Sequence, residues 1–177
     1  MARMGLPPVP YPPPRWTNLE TVLYHGTLDR YAGMIAAGRI QVRFGKTHRD
    51  FGPGFYTTTD QRQAHSWAIQ LAEQLPGTAP AVVELKVDRD RLAGLDVLGF
   101  VRGDFTADDY WSFVHYCRNG AANHARVAPL NPFYDAVYGP VAAFWNQRMI
   151  VANADQISFH TARAEGLLNG GRRRRIL

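Results

Sequence analysis

Strand and helix signals follow one another irregularly along this 177-residue chain, and that irregularity constrains the fold more than any other feature. Short β-branched or aromatic stretches predict strands over 19–25, 40–44, 54–59, 81–87, 134–138 and 156–160, with a further one within 92–100. Helical spacing of apolar residues predicts helices over 30–37, 61–74, 106–118, 141–150 and 162–168. Thr27, Asp60, Thr106 and Thr161 stand at helix N-cap positions. Gly38 stands at a C-cap, and Gly139-Pro140 at the end of a strand. No regular strand–helix–strand alternation emerges. The expected class is therefore α+β, with two small, mostly antiparallel sheets packed face to face and helices at their flanks.

The length suits one domain with a true core, and 46% hydrophobic and 12% aromatic content fits a globular chain. Residues 1–15 hold six prolines and read as an extended Pro-rich arm. Residues 16–171 read as the single domain, and residues 172–177 as a basic C-terminal end. The net charge of +5 resides at the two ends. Arg3, Arg15 and Arg172 to Arg175 carry six positive charges, while residues 16–171 hold 14 Lys and Arg against 15 Asp and Glu. A near-neutral body argues against a nucleic-acid reader with a basic folded face. The arginine run reads either as a solvated end or as a last edge strand. No apolar run approaches the roughly 18 residues that span a bilayer, and no signal peptide is evident. The expectation is a cytoplasmic protein without a membrane partner, although a toxin delivered by another route would read the same way. The single cysteine, Cys117, excludes an intrachain disulfide and reads as a small core hydrophobe.

Three segments carry the chemistry: Tyr24-His25-Gly26-Thr27, then Asp50-Phe51-Gly52-Pro53-Gly54-Phe55-Tyr56-Thr57-Thr58, then Asp155-Gln156-Ile157-Ser158-Phe159. Each reads as a strand presenting one polar or aromatic residue. In chain order these are His25, Tyr56 and Gln156. Together with Gln63-Ala64-His65-Ser66-Trp67-Ala68 and His160-Thr161, the segments resemble the ADP-ribosyltransferase superfamily, on the side related to diphtheria toxin and the poly(ADP-ribose) polymerases. More narrowly, they resemble bacterial domains of the DUF3990 group. The resemblance covers most of residues 18–168.

That resemblance implies an ADP-ribosyltransferase-like split β-sandwich with NAD, as substrate, in the cleft between the sheets. It implies a His-Tyr-Glu set, for which His25, Tyr56 and Gln156 are the matching positions. His25 would bond a ribose hydroxyl, Gly26 would let the main chain approach the nicotinamide carboxamide, and Thr27 would cap the next helix and touch the ribose. Tyr56 and Trp67 would stack on nicotinamide. Ala64 stands where the polymerases have a serine that binds the carboxamide, so that contact is either absent or replaced by one from Ser66. Cleavage of the nicotinamide–ribose bond develops positive charge on the sugar, much as in glycoside cleavage. Gln156 keeps the hydrogen-bond acceptor of a glutamate but not its charge.

The implied activity is mono-ADP-ribosyl transfer to a protein or nucleic-acid acceptor by a toxin or effector domain, with an antitoxin as a possible partner. Two alternatives stand beside it: a weak or inactive NAD or ADP-ribose binding module, and a nucleic-acid-directed or RNA 2′-phosphotransferase-like enzyme. No metal is expected. None of the six histidines pairs at the spacing of a helical zinc motif. There is no P-loop, dinucleotide fingerprint or nucleophile elbow.

Overall fold

The computed structural model describes residues 19–100 and 108–177. The Pro-rich arm and the Thr106 cap lie outside the described residues. Within those residues the helices and strands follow in the order β1 (Glu20–Leu28), α1 (Asp29–Ala36), β2 (Phe55–Thr57), α2 (Gln61–Glu73), β3 (Pro80–Asp88), α3 (Arg89–Ala93), β4 (Val97–Gly99), α4 (Asp108–Arg118), β5 (Ala136–Phe144), β6 (Met149–Phe159), α5 (Ala162–Gly170) and β7 (Arg172–Arg175). They form a three-stranded sheet of order β1-β3-β7 and a four-stranded sheet of order β2-β6-β5-β4. Every pairing among the described strands is antiparallel except β4 with β5. The α+β class with two mostly antiparallel sheets is the observed architecture.

β3 is the middle of the first sheet and is buried from Ala81 to Leu85 and again at Val87. Its one buried charge, Glu84, lies opposite Arg174 of β7. Arg174 meets Glu84 with Nε at 2.8 Å and Nη2 at 3.1 Å. The other arginines of β7 are also engaged. Arg172 pairs with Glu20, Arg173 donates to the carbonyls of Leu168 and Asn169 at the end of α5, and Arg175 donates to the carbonyl of Leu177. The arginine run is thus an edge strand of the first sheet, and its charge serves internal partners.

The main core lies between the sheets. Leu23, Val83 and Leu85 from the first sheet meet Ala136 and Phe159 from the second, with Leu167 and Leu168 of α5. A second core lies under α4, where Tyr110, Trp111 and Val114 pack on Phe51, Val137 and Ala142. The second sheet is therefore covered on both faces. Phe55, Ile157 and Phe159 point to the main core, while Tyr56 and Val137 point to the second.

Several local expectations differ from the structure. Thr27 does not cap a helix: β1 continues through Leu28, and Leu28 precedes α1 without a side-chain cap. Residues 40–44 contain a 3₁₀ turn at Val42–Phe44 rather than a strand, because the main-chain N–H groups of Ile40 and Val42 bond to Asn169 and Glu165 of α5. Part of 92–100 is α3 and only Val97–Gly99 is a strand. β5 runs straight through Gly139-Pro140. Among the described residues, β4 pairs with β5 from Ala136 to Tyr138. The expected helix over 141–150 is the rest of β5, a 3₁₀ turn at Trp145–Gln147 and the start of β6. By contrast, Asp60 and Thr161 cap α2 and α5 through the N–H groups of Arg62 and Ala164.

Deleting residues 172–177 removes β7 and leaves the Glu84 carboxylate buried without its partner. The deletion should lower the melting temperature by more than about 5 °C. An unchanged thermal melt would return the arginines to the role of a solvated tail.

Candidate functional site

The two sheets touch where β1 meets the end of β2. Tyr24 and Thr58 exchange main-chain hydrogen bonds of 2.8 and 2.9 Å. This seam puts β1, β2 and β6 side by side, so the strands that carry His25, Tyr56 and Gln156 are neighbours. On the second sheet Tyr56 pairs with Ser158 and Thr57 with Ile157. Gln156 and Tyr56 therefore point to the same face, toward α4.

The three side chains do not converge on one point. His25 and Tyr56 bond within the 50–56 segment at different places, and Gln156 reaches its first residue. His25 Nδ1 donates to the main-chain carbonyl of Tyr56 at 2.6 Å, and its ring stacks on Phe55 with centroids 4.2 Å apart. The Tyr56 hydroxyl donates to the Gly52 carbonyl at 2.6 Å and accepts from the Phe51 N–H at 3.1 Å. Burial and the nearby Asp50 charge push its pKa well up, so the phenol stays protonated. Gln156 is buried, and its Nε2 donates to Asp50 Oδ2 at 2.6 Å and to the Pro140 carbonyl at 2.9 Å.

Asp50 is the hub of this region and is only 3% exposed. Its Oδ2 also accepts from the Ala142 N–H at 2.8 Å. Its Oδ1 takes both Nε and Nη2 of Arg118, at 2.7 and 2.5 Å. One carboxylate thus ties together the 50–56 segment, α4, β5 and β6. Read locally, Asp50 is either a cap of the Gly52-Pro53-Gly54 turn or a site residue; its side-chain partners on Arg118 and Gln156 lie 68 and 106 residues away.

Two further histidines hold the same segment. His124 Nε2 donates to the Phe51 carbonyl at 3.0 Å, while its Nδ1 accepts from the Tyr134 N–H at 3.1 Å. His160 Nδ1 donates to the Pro53 carbonyl at 2.7 Å, and its Nε2 lies 2.7 Å from the Ser158 hydroxyl. A carbonyl can only accept, so each of these imidazoles, like His25, carries its proton on the nitrogen that faces the segment. All three are neutral. Burial lowers His25 and His124 to about 4, and burial with the adjacent His124 lowers His160 to about 3. Ser158 and His160 have the spacing of a nucleophile and its base, but Ser158 is completely buried, so the pair is structural. Metal-ligand spacing, the test that sequence offers for histidines, does not reveal His124 and His160 as site-building residues. Among the described residues, no group of three or more His, Cys, Asp or Glu side chains could hold a metal ion.

A Cβ at Gly26 would lie 2.0 Å from the Ala64 carbonyl oxygen, so the close approach that requires glycine is made by α2. Thr27 is buried in β1. Ser66 is exposed while Ala64 is buried under Gly26, so Ser66 does not take the place of Ala64. Trp67 is 40% exposed on α2, whose buried residues are Ala64 and Ala68. The Arg49 guanidinium lies 5.2 Å from the Trp67 ring centroid, which leaves a cation-covered aromatic next to the 50–56 segment. Asp155 is held by Thr58 and Thr59 at the turn into α2, and Gln63 bonds its main chain. Gln156, not Asp155, therefore occupies the position beside Asp50. Cys117 is fully buried and its thiol is pushed up to about 12, which makes it inert. An open depression of about 460 Å³, lined by Asp60, Arg62, His65, Val82 and the last two residues, contains none of the predicted site residues.

A two-sheet α+β domain with a polar seam at β1, β2 and β6 is the class that the fold defines. Residues 21–152 match the family described as protein of unknown function (DUF3990), and the chain belongs to that family. The matched span includes His25, Tyr56 and Trp67 and ends before Gln156. No curated protein matches the chain. No helix among the described residues is long and apolar enough to cross a membrane.

This geometry makes backbone contact and protonation state testable. Gly26→Ala drives a methyl group into the α2 main chain, which no rotamer change relieves, and should cost about 2 kcal/mol or more in urea unfolding. The unfolded chain protonates the three imidazoles below about 6.5, but the folded chain does so only near 4 or below. Between those values the unfolded state binds more protons, so stability is full above pH 6.5 and falls as pH drops toward 4. Each neutral imidazole contributes up to about 1.4 kcal/mol per pH unit before screening. Urea melts at about pH 7 and about pH 4.5 should differ by about 2 kcal/mol or more. Imidazole NMR signals should place all three protonations at or below about pH 4.5.

Proposed function

We propose that the domain is an NAD-dependent mono-ADP-ribosyltransferase that cleaves the nicotinamide–ribose bond and passes ADP-ribose to a macromolecular acceptor. The observation that carries this reading is the seam itself. Three strands from two sheets meet there, each bearing one member of the His25, Tyr56 and Gln156 set, in the same chain order as in the superfamily that the sequence resembles. The His25 tautomer supports it. With Nδ1–H committed to the Tyr56 carbonyl, Nε2 is the unprotonated nitrogen and suits a ribose hydroxyl as donor. The neutrality of His25 near pH 7 supports it as well, since the nicotinamide of NAD is itself cationic. Trp67, 40% exposed with the Arg49 guanidinium over its ring, lies at the edge of the same region.

In this reading His25 orients the ribose, Tyr56 supplies a ring for the nicotinamide, and Gln156 accepts from a ribose hydroxyl. Gln156 brings no charge to the developing oxocarbenium. That favours slow single transfer over polymer synthesis. The commitment of the Gln156 amide to Asp50 favours one second reading, a module that binds NAD or ADP-ribose without turning it over. The arginine run gives the nucleic-acid reading little support, because β7 uses it internally.

The test is nicotinamide release from NAD by the purified protein, alone and with cell lysate. His25→Ala and Tyr56→Ala should reduce release by about 100-fold or more, with folding checked by thermal melting. Unchanged rates in both folded variants would sink the transferase reading. NAD binding without release would establish the binding module.

A further inference from the structure

The chain has glutamine where the superfamily it resembles has glutamate, and the surroundings of residue 156 supply a physical reason. Gln156 Nε2 faces two acceptors, the Asp50 carboxylate at 2.6 Å and the Pro140 carbonyl at 2.9 Å. Turning the amide over would set its oxygen against both, so the orientation of the amide is fixed. A carboxylate at 156 would have no proton to offer either acceptor. It would also face Asp50 at hydrogen-bond distance inside a region where both side chains are more than nine-tenths buried.

The groups around Asp50 cannot absorb a second negative charge. Arg118 of α4 is the cation bonded to it, and both of its contacts go to Oδ1. Oδ2 faces the Ala142 N–H of β5 and the Gln156 amide. Tyr56, Tyr110 and Cys117 also lie within its field, which together with burial holds all three in their protonated forms.

We infer that Asp50 is a positioning residue: it holds the NH₂ of Gln156, thereby makes the side-chain carbonyl oxygen the atom that residue 156 offers to a ligand hydroxyl, and excludes glutamate from that place. The ligand hydroxyl is a ribose hydroxyl, which rests on the transferase reading above. The hydrogen bonds to Asp50 do not rest on it. The negative charge of this region sits one side chain further back, on Asp50, where Arg118 neutralises it.

The test uses Gln156→Glu, Asp50→Asn and the double variant in the full chain. Carboxyl ¹³C NMR titration of the ligand-free protein decides the pairing. In Gln156→Glu, the two carboxyls should share a proton, with an apparent pKa of about 6 or higher in place of the ordinary value near 4. In the double variant position 50 no longer holds a carboxyl against the new carboxylate at position 156, and the raised titration should vanish. The melting temperature of the double variant should exceed that expected from adding the two single changes. Nicotinamide release should not rise in Gln156→Glu and should be about tenfold faster in the double variant than in that single one.

An ordinary carboxyl titration in Gln156→Glu would overturn the inference, as would strictly additive melting temperatures. If none of the proteins releases nicotinamide, the transferase reading falls, while titration and melting still decide whether Asp50 orients residue 156.

Discussion

The buried carboxylate of Asp50 is the interaction on which the region around β2 depends. Removing a carboxylate from water costs several kcal/mol, and that cost is offset only when its lone pairs find donors. Asp50 finds donors on Arg118, Ala142 and Gln156. Loss of any one would leave a charge or a polar group stranded in a buried region beside Tyr56 and Tyr110. The network therefore locks α4 onto the outer face of the second sheet and fixes where the 50–56 segment enters β2.

Around that charged hub the segment is held almost wholly by neutral groups. Three imidazoles and one phenol bond to the carbonyls of Phe51, Gly52, Pro53 and Tyr56. Such a segment resists local opening, because its polar groups have good partners and its aromatic side chains lie against the two cores. Behind this neutral frame lies the Asp50–Arg118 pair, and Arg49 stands at its edge over Trp67.

Much of the architecture was legible because local chemistry and global packing agree. Asp60 and Thr161 cap their helices as their positions imply, and Ala81–Val87 makes a strand that is buried on both sides. The failures fall where a distant partner overrides local preference. Residues 141–150 have helical spacing, yet β5 and β6 pair with each other across them. Thr27 has the look of a cap, but β1 still has β3 to pair with at that point. In the candidate site, the placement of His25, Tyr56 and Gln156 on strands was legible, but the frame that holds these side chains was not. The partners of Asp50, and the carbonyls bonded by His124 and His160, are far away in sequence, and no spacing rule connects them. Gly26 shows the same limit. The packing need for a bare α-carbon there, imposed by the Ala64 carbonyl, is visible only in three dimensions.

The separations around Asp50 also bear on how the chain reaches this arrangement. Its donors lie 68, 92 and 106 residues further along. Contacts this non-local form slowly, after the loops that separate them have closed. Until α4, β5 and β6 are in place, the carboxylate is better left in water. A compact but wrongly threaded intermediate that buries it incurs the full desolvation cost with no compensating bonds. Asp50 thus acts as a proofreader of topology, penalising collapsed states in which the second sheet is incomplete and leaving the correct threading as the one that can hide its charge.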